Sequence, residues 1–350
     1  MIKFEDAFSF QNLYKAHRVA RLGKQKNREV IEFEMNLGSN ICKLQEKLLS
    51  GEYDISGYYD FMVHDPKDRV IHALHYSDRV VQHCLCDEII ASVLDKKLIY
   101  DNAACRIGKG THFALDRTTR FLREFYRKHG CDGYFLKCDI SKFFDSIDHC
   151  VLWKKLQKQF DDERFLGLLG RIISSYAKSP GKGLPLGNQT SLWFAIFYLD
   201  EFDRFIKEKL KIRYYSRYMD DCVLIHSNKE YLKYCLAEMT KLIEDRLKLS
   251  FNSKTQIFPI RAGVDYLGFH IYLSDNVRVI RRLRRQSKKK FIRSLKTIQI
   301  AYSKGEIDLC DVQQVLSSYL AHMAHGDTYR LKKKYLETLT LVRYNGCLMK

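Results

Sequence analysis

Two adjacent carboxylates, Asp220 and Asp221, sit between two apolar, strand-forming runs at 213–218 and 222–226. β-Branched and aromatic residues fill both runs, so the Asp-Asp step is expected where a tight hairpin turns. Successive strand side chains point to opposite faces, and a turn is what lets neighbouring carboxylates converge. Two like charges held together are costly unless a cation neutralises them, and hard divalent cations take such oxygen ligands. A polar turn on a solvated hairpin is the competing reading of the pair by itself. A third carboxylate, Asp139, closes the apolar run 133–138, with the rings of Phe143 and Phe144 close behind. A carboxylate at a strand end beside bulky rings suits a metal ligand next to a shaped pocket, or a turn residue. Asp145 is read as the turn residue.

The composition narrows the partner. The chain has 350 residues, 46% of them hydrophobic and 13% aromatic, which excludes a disordered protein and predicts a large core in two or three lobes. A formal charge of +18 favours a polyanion, and nucleic acid is the commonest one. No apolar stretch approaches a membrane span and no signal peptide opens the chain, so no membrane partner is expected. Eleven cysteines follow no repeating spacing, and Cys84-Leu85-Cys86 has no second pair to complete a zinc site. Reduced, mostly buried thiols in the cytoplasm are the expectation.

Several elements must position these groups. A helix follows Ser9 as N-cap, and a second amphipathic stretch, carrying Val30, Ile31, Phe33, Met35, Leu37, Ile41, Leu44 and Leu48, stops at Gly51. A hairpin is predicted over 58–76, broken at Asp65-Pro66-Lys67-Asp68, with Lys67 and Arg69 near its tip. Helices are predicted over 77–94, 113–128, 151–160, 163–176, 192–210 and 229–247. The basic glycine loop 106–110 can hold phosphate on backbone amides or serve only as a helix entry. Glycines in 180–191 permit close backbone approach ahead of the apolar helix. A short strand at 256–260 and a second hairpin turning at 274–276 follow. From 276 to 300 there are ten Lys or Arg and no acid. A solvated face normally mixes signs, so phosphate contacts are the better use of that run. Helices at 309–325 and 328–341 complete the chain.

The motifs occur in an order that resembles a reverse transcriptase over roughly residues 58–325. Lys67-Asp68-Arg69 with Asp78-Arg79-Val80-Val81-Gln82 is similar to the first fingers motif, and Arg106-Ile107-Gly108-Lys109-Gly110 to the second. The stretch 139–147 resembles the strand of the first catalytic aspartate. Leu186-Gly187-Asn188-Gln189-Thr190-Ser191 resembles the next motif, Tyr218-Met219-Asp220-Asp221 the box of the other two, and Lys254 with Tyr266-Leu267-Gly268-Phe269 the last palm motifs. The resemblance implies an α+β, right-hand polymerase fold: fingers within 1–132, a palm of antiparallel sheet and helices at 133–275 with a fingers insertion about 150–182, and a basic helical thumb at 276–350. It implies RNA-directed DNA synthesis from deoxynucleoside triphosphates, by attack of a primer hydroxyl on the α-phosphate with loss of pyrophosphate. Two Mg²⁺ ions, with Mn²⁺ as an alternative, would be held by Asp139, Asp220, Asp221 and the backbone carbonyl of Ile140. Lys67, Arg69, Arg106, Phe144, Leu186, Gly187 and Lys254 would meet the nucleotide, Phe144 as a steric gate against a 2′-hydroxyl. Lys254 would lie near the pyrophosphate, with a structural salt bridge as its other reading. Arg281, Arg282, Arg284, Arg285, Lys288 and Lys289 would grip the template RNA and the primer or cDNA.

Within that family, Leu186 in place of the Gln of group II intron enzymes resembles the reverse transcriptases of diversity-generating retroelements, while Leu192 departs from their usual Gln. That likeness implies lowered fidelity, chiefly at template adenines, and a small basic helical accessory protein. Anti-phage defence or CRISPR-associated synthesis, template-independent or protein-primed, is the alternative, and a non-catalytic RNA-binding protein a further one. No maturase, endonuclease or RNase H segment is expected, and no retron-type Val-Thr-Gly occurs in the thumb region.

Overall fold

The computed structural model describes residues 2–64 and 68–343. The helix Phe10–Ala20 begins as its sequence predicts, with Ser9 accepting from the Asn12 amide. The next periodic stretch is two helices, Arg28–Met35 and Leu37–Ser50, because Asn36 leaves the helical region at φ −128°. Gly51 ends the second in a left-handed conformation, at φ +78°.

Among the described residues nine strands form three antiparallel sheets. β1 (Tyr58–Val63) and β2 (Arg69–Leu74) are the first hairpin; Lys67 lies outside the described residues. β3 (Tyr134–Asp139), β4 (Tyr214–Tyr218), β5 (Asp221–His226) and β6 (Gln256–Pro259) pair in the order β4-β5-β3-β6. β7 (Val264–Tyr266), β8 (Phe269–Leu273) and β9 (Val279–Leu283) make the third sheet.

Both faces of the four-stranded sheet are covered. Leu136 and Cys138 of β3, with Cys222 and Leu224 of β5, face one core. That core includes the helix Gln189–Tyr198, of which nearly every residue is buried. Phe135, Val223 and Ile225 face a second core with the helix Thr111–His129 and the C-terminal region. The strands therefore read as near-continuous apolar runs, and a polar side chain among them must have an assigned partner. The long helix predicted over 192–210 ends at Tyr198. It resumes as Asp200–Arg204 and then widens into a π-turn at Phe205–Lys209.

After β9 come the helices Arg285–Ser303, Leu309–Met323 and Tyr329–Leu336, joined by ring contacts of Phe291 with Tyr319 and Tyr335. The α+β class expected from the sequence holds. Among the described residues no helix is long and apolar enough to cross a membrane.

Candidate active site

The β4–β5 hairpin turns in two residues, since Tyr218 pairs with Asp221 and leaves Met219 and Asp220 as the loop. Met219 takes a left-handed φ of +55°, as hairpins of this length require. The turn is thus one residue earlier than the Asp-Asp step itself, and Asp221 opens β5. Across the sheet, Asp221 stands directly opposite Asp139 at the end of β3. Three carboxylates contributed by two chain segments, β3 and the β4–β5 hairpin, meet at one end of the β3–β5 pair.

Their electrostatics record that crowding. Burial raises Asp220 above the usual carboxylate range; the Asp139 carboxylate raises it further, and Arg69 opposes. Asp221 is pushed up to about 7, first by burial, with Asp139 and Asp220 adding and Lys137 opposing. Lys137 Nζ lies 3.4 Å from Asp221 Oδ2 and donates at 2.6 Å to the Asp265 carbonyl. Asp221 Oδ1 is buried without a hydrogen-bond partner.

The support beneath the turn is ionic. Arg217 is fully buried; its Nε and Nη2 each donate at 2.7 Å to the equally buried Asp203 carboxylate, and its Nη1 donates at 2.7 Å to the Met219 carbonyl. Tyr215 donates its hydroxyl to the same carboxylate. The Asp139 carbonyl is likewise fixed, accepting from the Asn252 amide at 2.7 Å, while the Asp139 amide donates to Thr255 Oγ1. Ile140 bridges Phe251 through the Asp139 carbonyl and Ser141 amide, which leaves the Ile140 carbonyl out of that bridge. Sequence reasoning missed Arg217, Asp203, Lys137, Asn252 and Thr255. Only the basic residue two places before each of Met219 and Asp139 was there to be noticed.

Other expected residues fall into two groups. Arg69 is exposed and close enough to act on Asp220. Phe144 is half-buried with its ring against Phe143, and its carbonyl accepts from Leu184. Leu186 is half-buried and its carbonyl accepts from the His72 amide at 3.2 Å. Gly187 has φ +111°, and a Cβ there would meet Ile71 Cγ2 at 2.9 Å, so the position demands glycine twice over. Lys254 is exposed. The side chains of Arg282, Arg285, Lys288 and Lys289 are also exposed.

Three arginines differ from expectation. The Arg106 side chain is 8% exposed and donates to Asp95, Ile99 and Asn102, closing its own loop instead of facing a triphosphate. Arg281 donates to Asp116, Thr119 and the His325 carbonyl, tying β9 to the helix Thr111–His129. Arg284 pairs with Asp265 at 3.0 Å. Composition showed a uniform basic run, but two of its members have acidic partners from distant segments.

The donor types suit a hard divalent cation: neighbouring carboxylates, one with an unpartnered buried oxygen, with Asp220 and Asp221 raised first by burial and further by their acidic neighbours. Among the described residues no group of three or more His, Cys, Asp or Glu side chains is placed so that it could hold a metal ion by itself, Asp139, Asp220 and Asp221 included. Mg²⁺ does not need such a group, since it uses few protein carboxylates and completes its shell with water and phosphate oxygens.

Residues 67–271 match the family described as reverse transcriptase (RNA-dependent DNA polymerase). The chain is 25% identical to Protein YkfC of Escherichia coli (strain K12), over 46% of this chain and 54% of that protein. It is 25% identical to the putative COX1/OXI3 intron 2 protein of Saccharomyces cerevisiae (strain ATCC 204508 / S288c), over 33% of this chain and 14% of that protein. It therefore spans about half the length of the first curated relative and much less of the second. The structure of telomerase from Candida albicans in complex with the TWJ fragment of telomeric RNA superimposes with a TM-score of 0.51 at 13% identity, over 86% of this chain and 58% of that one. At that identity the likeness is one of fold, mixed helix and antiparallel sheet in the right-hand polymerase arrangement.

Proposed function

The chain belongs to the reverse transcriptase family, and on that premise we propose that it is an RNA-directed DNA polymerase extending a primer by nucleotidyl transfer. The observation that carries this reading is the convergence of Asp139, Asp220 and Asp221 at one end of the β3–β5 pair. Asp139, Asp220 and Asp221, with the Ile140 carbonyl, would hold two Mg²⁺ ions or Mn²⁺. Such a pair of ions, when bound, stabilises the attacking and leaving oxygens of an in-line displacement.

The remaining roles belong to this chain's own side chains. Arg69 faces the acids from the fingers hairpin and, with Lys67, would neutralise the triphosphate. Phe144 would lie under the sugar and exclude a 2′-hydroxyl, and Lys254 would stand by the pyrophosphate. Arg282, Arg285, Lys288 and Lys289 would follow the template–primer backbone. Residues 1–132, 133–275 and 276–350 would act as fingers, palm and thumb. We assign the chain to the diversity-generating retroelement type working in the cytoplasm, with a template RNA and a small basic accessory protein. Leu186 supports that assignment, because unlike Gln it offers no side-chain amide to hydrogen-bond beside the incoming nucleotide.

The test is primer extension on an RNA template with Mg²⁺ and deoxynucleotides. Asp220→Ala is expected to abolish product while leaving the fold intact by circular dichroism; undiminished synthesis would refute the assignment. Sequencing cDNA from wild type and Leu186→Gln checks fidelity, with fewer errors at template adenines expected from the variant.

A further inference from the structure

The fingers hairpin and the segment leading to Leu186 are joined by side chains that the catalytic reading leaves unused. Asp60 and His72 are directly opposed on β1 and β2. His72 Nδ1 lies 2.7 Å from Asp60 Oδ1, and Nε2 lies 2.9 Å from the Tyr176 hydroxyl. The His72 and Tyr176 ring centroids are 4.6 Å apart. One residue earlier, Ser175 Oγ is 2.7 Å from the Tyr58 hydroxyl. Both strands of the hairpin are thus held by consecutive residues just past the helix Glu163–Ser174. The His72 side chain is 14% exposed and its bond to Tyr176 is sheltered, whereas Asp60 is 58% exposed and holds the solvent end of the chain. Burial, with Asp145 and Asp60, raises the Tyr176 hydroxyl, which keeps its proton; the tautomer that lets His72 Nε2 accept it is the one in which Nδ1 donates to Asp60.

The backbone of the same strand carries the link to the site. The His72 amide donates to the Leu186 carbonyl at 3.2 Å. Its neighbour Ile71 fills the space beside Gly187, where even a Cβ would come within 2.9 Å of Cγ2. Two residues earlier on β2 stands Arg69, which acts on Asp220. A shift of His72 would therefore move Leu186, Gly187 and Arg69 together. Apolar packing alone permits such slippage, whereas a directional polar chain resists it.

We propose that Asp60, His72 and Tyr176 form a relay of positioning residues. The relay sets Leu186 and Gly187 against the incoming deoxynucleotide and so governs nucleotide affinity and base selectivity. This inference rests on the polymerase reading above. It is tested by steady-state kinetics and error counting on an RNA template with wild type, Tyr176→Phe, His72→Leu and His72→Gln, alongside melting temperatures. Tyr176→Phe is expected to raise KM for deoxynucleotide about fivefold, the equivalent of one hydrogen bond of about 1 kcal/mol, with kcat and melting temperature little changed. His72→Leu should raise KM and misincorporation further, and His72→Gln, which keeps a polar group facing Tyr176, should restore most of both. If wild type polymerises but KM and error rate are unmoved in the Phe and Leu variants, the relay does not position the site. A fall in kcat and melting temperature with KM unchanged would equally overturn it, as a purely structural role. If wild type makes no template-directed product, the polymerase reading itself fails.

Discussion

The turn that carries Asp220 is braced by a charge that never meets solvent. Arg217 has no exposed surface, and its partner Asp203 has none either. Removing one member of such a pair leaves an uncompensated buried charge, so Arg217→Met should destabilise the protein by about 3–5 kcal/mol in urea titration. Replacing Arg217 and Asp203 together by Met and Leu should recover much of that stability. The Met219 carbonyl would remain without its donor, so activity should stay low. The three aspartates were legible because their motifs come in order and acids at turns are conspicuous. Arg217 was not legible, because an arginine between two tyrosine-rich positions of a strand gives no sign of which neighbour will cover it. Asp203 lies fourteen residues away, inside a region that sequence periodicity assigned to one uninterrupted helix. The same crowding predicts a metal response: Mg²⁺ should raise the melting temperature of wild type, and Asp221→Ala should cancel the rise. A rise of equal size in the variant would mean that the ion binds elsewhere.

At the scale of elements, the contact between β2 and the Leu186–Gly187 turn is a tight fit. Gly187→Ala should cost about 1–3 kcal/mol through its positive φ and the collision with Ile71, measured by thermal melts, with a matching rise in KM for nucleotide. Hairpins, the acid-bearing strands and most helices followed from alternation, capping and turn chemistry. The breaks at Asn36 and Leu199 did not, because apolar spacing continues through both. They arise where backbone dihedrals depart from helix to fit neighbouring elements. The helix Arg285–Ser303 keeps its basic surface while β9 and the residue before the helix give Arg281 and Arg284 to ion pairs. Reversing Lys288 and Lys289 to Glu should therefore weaken nucleic-acid binding and reduce the salt slope by at least about 2. Reversing Arg281 should chiefly lower stability.

Across the whole molecule, one sheet lies between two cores and carries its acids, half-buried, at one end of the β3–β5 pair. The +18 charge and the exposed basic helix give the protein a surface suited to a polyanion. Charge predicted that partner class from composition alone, while the distribution of the charge emerged only with the fold.

The four-stranded sheet also has two borders. β4 does not expose its outer side: the Ala103 amide donates to the Arg217 carbonyl at 3.0 Å, and the Arg217 amide to the Asp101 carbonyl at 3.2 Å. β6 is four residues long and ends in Pro259. An unguarded border would template pairing with another chain, a hazard heightened by strands as apolar as these. Ala103→Pro removes one of the guarding donors. The variant should form higher-order aggregates on size-exclusion chromatography under conditions where wild type elutes as a single species. The short segment before the glycine loop would then guard the outer side of the strand that leads to Asp220 against pairing with another chain.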